Sequence, residues 1–156
     1  DPKISNILFD GDRAVGLIDL DTCNRHTVLV DLGDAVRSWC RDGSEDERHR
    51  FQIERFEAML KGYAAEGPPL NDREKKYLVH AGRLITLELA SRFARDVLED
   101  EYFAYDNTRY PDRRAHNCAR TKAMIFLAED MRKHRAQMED LVHNYLGDDA
   151  ALIPQT

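Results

Sequence analysis

Apolar residues recur at helical spacing over most of the chain, and only its beginning has short apolar runs typical of strands. The apolar spacing predicts four helices, at about residues 32–41, 44–65, 72–98 and 113–146. The third is apolar on nearly all sides in its middle, which favours a central helix covered by several neighbours. The pattern therefore predicts a mostly helical protein.

The predicted helix starts carry recognisable capping residues. Asp31 has the position of an N-cap before the first helix. Ser44 with Glu47, and Asn71 with Glu74, have the spacing of capping boxes before the second and third helices.

The first twenty residues predict a β-hairpin. Strand-like segments at about residues 7–9 and 14–20 flank the sequence Asp-Gly-Asp at residues 10–12, which is a strong turn signal. With a loop of roughly two to four residues, paired positions sum to about 23 to 25. Asn6 would then lie opposite residues 17–19, which brings Asp19 beside it at the open end of the hairpin, with Asp1 just beyond.

Asp1, Asn6 and Asp19 offer two carboxylates and one amide oxygen at this end of the hairpin. Such hard oxygen ligands are those that Mg²⁺ prefers when it also binds phosphates. Local turn chemistry is the alternative for Asn6 and Asp19. Asp19, however, ends an apolar strand, where aspartate is disfavoured, and this favours the metal-binding role.

The spacing Asp1-x4-Asn6 followed by Ile18-Asp19 resembles the catalytic loop of kinase-like phosphotransferases, the group of aminoglycoside and choline kinases. The resemblance implies that Asp1 accepts the proton of the acceptor hydroxyl. It also implies that Asn6 and Asp19 hold Mg²⁺ while ATP is bound. The counterpart of Asp31 in that family braces the catalytic loop, so Asp31 is either such a brace or a plain N-cap.

Six further segments narrow the resemblance to N-acetylhexosamine 1-kinases, over about residues 1–140. In order they are DPKISNILFD, IDLDT, DLGDAVR, LELASRF, DEYF and HNCAR. The likeness implies the carboxyl-terminal lobe of a protein-kinase-like fold (α+β), with one hairpin and a helical bundle at residues 1–147 and a tail at 148–156. The nucleotide-binding lobe would be absent, so we expect this chain alone to be inactive and to self-associate through the surface left exposed.

The implied reaction is ATP-dependent phosphorylation of a sugar, at the anomeric hydroxyl of an N-acetylhexosamine. In the family, an arginine and a following aromatic residue approach the sugar, which identifies Arg92 and Tyr102 as candidate substrate contacts. Packing, and an i,i+4 pair of Glu88 with Arg92, is the structural alternative. Asn117 of the HN pair is equally explained as a helix cap. Other acceptors (an aminoglycoside, choline or homoserine) and a non-catalytic helical interaction module remain open.

Composition limits the remaining possibilities. The formal net charge of −6 argues against a nucleic-acid-binding protein. The three cysteines lack the spacing of a zinc site or disulfide framework, which favours a reducing, cytoplasmic compartment. No apolar run approaches the ~18 residues of a transmembrane helix, so we expect no membrane association.

Overall fold

A computed structural model describes residues 2–21, 23 and 25–147 as a hairpin followed by five helices. The elements are a 3-10 turn at Ile4–Asn6, β1 (Ile7–Asp10), β2 (Arg13–Leu17), α1 (Val28–Trp39), α2 (Ile53–Glu66), α3 (Asp72–Glu99), α4 (Arg113–Lys133) and α5 (Arg135–Leu146). The predicted fold class, mostly helical with one hairpin, is confirmed. The predicted tail at 148–156 lies outside the described residues.

The hairpin has the predicted pairing. Ile7 lies opposite Leu17 and Asp10 opposite Arg13, so the paired numbers sum to 24 and 23 on either side of a bulge. The second strand ends three residues earlier than predicted. Beyond it, the N–H of Ile18 still donates to the carbonyl of Asn6 at 2.9 Å. This last bond keeps Asn6 beside Ile18, the residue before Asp19.

Helix α3 is the centre of the bundle and packs against α1, α4 and α5. Its buried face joins α1 and α4 in one apolar core that includes Val36, Leu78, Phe93, Met124 and Leu127. Its amino terminus is closed by the predicted capping box. The Asn71 side chain accepts from the N–H of Glu74, and the Glu74 carboxylate accepts from the N–H of Asn71, both at 2.9 Å.

The prediction of Asp31 as an N-cap is wrong. Helix α1 begins one turn earlier, because the hydroxyl of Thr27 accepts the N–H of Leu29 at 3.3 Å and caps it there. Asp31 therefore lies inside the first turn, where its side chain is exposed.

The capping box predicted at Ser44 and Glu47 is also wrong, since α2 begins only at Ile53. The hydroxyl of Ser44 instead donates to Asp46. Farther on, the N–H of Phe51 donates to the buried carboxylate of Asp130 at 3.0 Å. Tyr110 also donates to Asp46 at 2.9 Å. These long-range bonds of Asp46 and Phe51 take the place of the helix that the local pattern favours.

The long helix predicted at residues 113–146 is broken at His134. Its N–H is shared between the carbonyls of Asp130 and Met131, and its ring nitrogen Nδ1 lies 2.9 Å from the Asp130 carbonyl. The ring also packs against Phe51, with centroids 5.6 Å apart. After the break, α5 packs against α2 and α3.

Apolar side chains of the hairpin region remain exposed on both of its faces. They are Ile4, Leu8, Phe9, Val15, Leu17, Ile18 and Leu20. Among the helices that the structure describes, none is both long enough and apolar enough to cross a membrane.

Gly33 sets the distance between α1 and α3. A Cβ atom at this position would lie 2.8 Å from the carbonyl oxygen of Ala81 and 2.9 Å from Cγ1 of Ile85. We therefore predict that Gly33→Ala lowers the free energy of unfolding by about 1–3 kcal/mol, because the helices must move apart. Urea denaturation measures the effect.

Gly62 is the matched control, since it lies in α2 and a Cβ atom there meets nothing within 4 Å. Gly62→Ala should raise stability by about 0.5–1 kcal/mol through helix propensity. Equal losses of stability in the two variants would contradict the close approach at Gly33.

Candidate functional site

One open cleft of about 1060 Å³ runs along the bundle from the hairpin to the loop after α3. Its walls are the open end of the hairpin, one face of α1, residues 43–45, one face of α3 and the beginning of the loop at 100–112. The predicted site residues that line it are Asn6, Asp19, Asp31, Arg92 and Tyr102. The fold thus gathers around one cavity residues as far apart in the sequence as Asn6 and Tyr102.

Asn6 and Asp19 are in contact at the hairpin end of the cleft. The amide Nδ2 of Asn6 lies 3.4 Å from Oδ2 of Asp19. Asn6 is only 8% exposed, and its N–H donates to the carbonyl of Lys3 at 2.9 Å. Asp19 has a φ of +61°, a conformation that aspartate tolerates better than most side chains. The local backbone therefore delivers the carboxylate to the amide.

These donors fit a magnesium ion bound together with phosphates. Mg²⁺ in such sites is held by one or two carboxylates, with phosphate oxygens and waters completing the shell. Within the described part of the chain, no three histidine, cysteine or acidic side chains form a cluster that could hold a metal alone. The Asn6–Asp19 pair is thus suited to a shared site and not to a closed protein cage.

The predicted base Asp1 lies outside the described residues, but the residue after it is anchored. The indole N–H of Trp39 in α1 donates to the carbonyl of Pro2 at 2.5 Å. This bond ties the start of the chain to the helix that forms one wall of the cleft. Asp31 lies along the same helix, and its role as a brace stays a prediction.

Arg37 and Glu45 connect α1 with the cleft wall at residues 43–45. Nη1 of Arg37 lies 2.6 Å from Glu45, and its Nε lies 2.7 Å from Asp34. Burial acts to lower the pKa of Arg37, but the two carboxylates raise it above its ordinary value. Arg37 is therefore engaged in these two ion pairs, and the pair with Glu45 joins α1 to the cleft wall.

Arg92 and Tyr102 meet at the far end of the cleft. Nη2 of Arg92 lies 3.4 Å from the Tyr102 hydroxyl, and the guanidinium lies over the rings of Tyr102 and Phe103 at 5.6 and 5.5 Å. The i,i+4 pair with Glu88 is present as well, at 3.9 Å. Tyr102 is 72% exposed. Its hydroxyl and the guanidinium are therefore open to a ligand.

Asp96 is a feature that sequence reasoning missed. Its carboxylate is buried and accepts the backbone N–H groups of Glu101, Tyr102 and Phe103 at 2.8–3.0 Å. It also accepts Nδ2 of Asn117 at 2.8 Å. Burial acts to raise the pKa of Asp96, but these hydrogen bonds prevail and lower it to about 2. The only local signal was an aspartate near a helix end, which is common.

Asn117 is not the helix cap that its sequence allowed. It is fully buried inside α4, and Asp112 caps the helix by accepting the N–H of Ala115 at 2.7 Å. Its neighbour His116 holds the same loop farther along. Nδ1 of His116 accepts the N–H of Asp106 at 3.1 Å, and Nε2 lies 3.2 Å from Asp46.

Residues 1–69 match the model of the phosphotransferase enzyme family, APH. The matched part includes the hairpin, α1 and α2, and it carries Asn6 and Asp19. The match supports a kinase-like phosphotransferase, in agreement with the resemblance seen in the sequence. It ends before α3, so Arg92, Asp96 and Tyr102 lie outside it.

The acidic stretch at residues 99–101 does not line the cleft. Glu99 pairs with Arg95 at 2.7 Å, and Asp100 lies 3.7 and 3.6 Å from Arg113 and Arg114. None of the three acidic residues is among the described residues that line the cleft. They therefore do not make its far end acidic.

The depressed pKa of Asp96 predicts a specific pH dependence of stability. Because its pKa falls from 3.8 to about 2 on folding, the ionised carboxylate stabilises the fold above about pH 4. That stabilisation is lost as the pH falls toward 2. Asp96→Asn should therefore flatten the dependence of the unfolding free energy on pH between 3.8 and 2. Urea denaturation at several pH values measures the slope.

In the Asp96→Asn variant, Asp46 should still make the unfolding free energy depend on pH between 3.8 and 2. Burial acts to raise its pKa, but hydrogen bonds from Ser44 and Tyr110 and the charge of Arg109 lower it to about 2. An Asp96→Asn variant with the wild-type slope would mean that Asp96 is not held as an ion.

Proposed function

We propose that this chain forms the catalytic and acceptor-binding lobe of an ATP-dependent kinase that phosphorylates the anomeric hydroxyl of an N-acetylhexosamine. One observation carries the proposal. Asn6 and Asp19 touch at one end of a cleft whose other end presents Arg92 and Tyr102. A phosphate-binding end and a sugar-binding end in one cavity are what transfer between two small substrates requires. The family match at residues 1–69 supports the same class.

Each residue at the hairpin end of the cleft has a separate role in the proposed reaction. Asp1 accepts the proton of the acceptor hydroxyl and orients its oxygen toward the γ-phosphate. Asn6 and Asp19 hold Mg²⁺, and the bound ion supplies positive charge that offsets the charge on the ATP phosphates. Trp39 keeps the catalytic loop in place through Pro2, and Asp31 supports it from α1.

The acceptor end of the cleft suits a neutral sugar better than a cation. Arg92 brings a positive charge there that offsets the carboxylate of Glu88, the acidic residue that lines the same end of the cleft, so the ammonium group of choline or an aminoglycoside would meet no excess negative charge. Glu99 and Asp100, which could attract such groups, are paired elsewhere, and Glu101 does not line the cleft. The exposed Tyr102 ring and the guanidinium offer an aromatic face and hydrogen-bond donors, which are suited to sugar hydroxyl and amide groups.

We further propose that residues 1–147 are the carboxyl-terminal lobe and that a separate nucleotide-binding lobe completes the enzyme. The apolar side chains exposed on both faces of the hairpin support this, because large apolar patches exposed on a soluble protein usually mark an interface. Without that lobe the same surface would favour self-association. The free thiols of Cys23, Cys40 and Cys118 are consistent with a cytoplasmic location.

The metal-binding role predicts a large loss of activity on removing one carboxylate. Asp19→Asn in the full-length enzyme should lower kcat by about a thousandfold, because charge stabilisation in the transition state is lost. Asp1→Asn should have a comparable effect through loss of the base. ATP consumption with N-acetylglucosamine and N-acetylgalactosamine measures both.

Asp12→Asn is the matched control, since Asp12 lies in the turn at the opposite end of the same hairpin. It should leave kcat unchanged. Near-normal turnover in Asp19→Asn, with magnesium present, would defeat the assignment of the site.

The sugar-binding role predicts a selective effect at Arg92. Arg92→Lys should raise KM for the sugar by about tenfold while leaving KM for ATP unchanged, because lysine lacks the planar fork that lies over the two rings. Arg95→Lys is the control: Arg95 lies one turn away on α3 and pairs with Glu99.

A screen of acceptors decides between the sugar and the other candidates. Faster turnover of choline, homoserine or an aminoglycoside than of either N-acetylhexosamine would reject the sugar while retaining the phosphotransferase. No ATP consumption with any acceptor would favour a non-catalytic helical module.

A further inference from the structure

The acceptor end of the cleft is built on a loop with no helix or strand of its own. Residues 100–112 leave α3 through Asp100, which has a φ of +58°, and return to α4 at Arg113. Tyr102 is 72% exposed, so its side chain gains little from the apolar core. Its position must therefore be set through its backbone and its neighbours.

Asp96 sets the backbone of this loop. Its Oδ1 accepts the N–H groups of Glu101 and Tyr102, and its Oδ2 accepts that of Phe103. Three consecutive amides on one carboxylate fix the peptide planes on both sides of Tyr102. Asn117 adds a fourth donor from α4, so that the carboxylate is held from two helices.

Two aromatic rings, those of Phe103 and Tyr102, connect the segment held by Asp96 with the cleft. The Phe103 ring packs on Phe93 in the core at a centroid distance of 4.6 Å, and Tyr102 meets the edge of Phe103 at 4.8 Å. Tyr102 then meets Arg92, which lies one helical turn before Asp96 on α3. Asp96 thus holds the backbone of Tyr102, and Arg92 contacts its side chain.

Asp96 also stabilises the fold in its ionised form, as its lowered pKa indicates. Stability alone does not explain which segment its hydrogen bonds order. The carboxylate orders the short segment 101–103, and the exposed side chain of that segment, Tyr102, lines the cleft.

We infer that Asp96, supported by Asn117, is a positioning residue for the phosphate acceptor, acting through the backbone of residues 101–103 to hold Tyr102 against Arg92. The inference rests on the proposed function and names the part of the fold that would determine acceptor affinity. Asp96 itself touches neither the acceptor nor ATP.

The test is Asp96→Asn in the full-length enzyme, with N-acetylglucosamine and N-acetylgalactosamine as acceptors. The variant keeps the size of the side chain but turns one acceptor oxygen into an NH₂ group that faces other donors. We expect KM for the acceptor to rise by about tenfold to a hundredfold, the range expected for a small misplacement of a binding group. KM for ATP should be unchanged, and kcat should change by less than about threefold.

Asp130→Asn is the matched control. Asp130 is equally buried and also accepts a backbone N–H, but that amide belongs to Phe51, which does not line the cleft. Its replacement should lower stability without raising KM for the acceptor. Hydrogen exchange gives an independent readout. Asp96→Asn should speed exchange at the amides of Glu101, Tyr102 and Phe103, and Asp130→Asn at that of Phe51.

If Asp96→Asn does not fold, Asn117→Leu is assessed by the same criteria. It retains most of the volume and removes one donor, so a smaller rise of the acceptor KM in the same direction is expected. A folded variant with faster exchange at residues 101–103 but an unchanged acceptor KM would overturn the inference alone. A wild-type enzyme that phosphorylates neither sugar would overturn the proposed sugar specificity, and this inference with it.

Discussion

The close packing of α1 against α3 is the constraint on which the cleft depends. At Gly33 the backbone of α1 lies so near α3 that no side chain fits between them. Helix α1 holds the start of the chain through Trp39 and Pro2, and α3 carries Arg92 and holds Tyr102 through Asp96. The distance between the two ends of the cavity is therefore set by one helix crossing and not by the loops themselves.

Three buried carboxylates give the bundle its irregular segments. Asp96 holds residues 101–103, Asp130 holds the amide of Phe51, and Asp46 lies among Tyr110, His116 and Arg109. A buried charge is costly unless several donors surround it. Here the backbone donors come from segments that have no helix or strand hydrogen bonds of their own, and Asn117 and His116 add side-chain contacts from α4. The same bonds thus satisfy the carboxylate and order the loop.

The hairpin end of the cleft has a different physical basis, since its order is local. A short turn and a few backbone bonds bring Asn6 and Asp19 together, and Asp19 adopts a left-handed conformation that glycine would accept at lower cost. Such strain is worth about 1–2 kcal/mol for a residue with a side chain. A carboxylate kept at this cost, with the side-chain amide of Asn6 beside it, fits a role in holding a cation.

Local order is what the sequence by itself determined. The Asp-Gly turn and alternate apolar residues were enough to pair Asn6 with the chain leading to Asp19, and Asn71 with Glu74 was enough to start α3. These signals act over a few residues, and they hold where no other contact competes with them. The helix start at Thr27, the irregular segment at 44–52 and the break at His134 were decided by tertiary contacts or by a nearby cap that competed with the expected one.

Only the tertiary structure joined the two ends of the cleft. Nothing in the spacing of Asp96 and Asn117 indicates that they share a hydrogen bond across 21 positions. The same is true of Asn6 and Arg92, which line one cavity although most of the described chain separates them. Contacts of this range depend on how the helices cross, and the crossing is determined by the packing of the whole core. The sequence therefore indicated Asn6, Asp19, Arg92 and Tyr102 as candidate site residues, whereas their assembly around one cavity followed from helix packing.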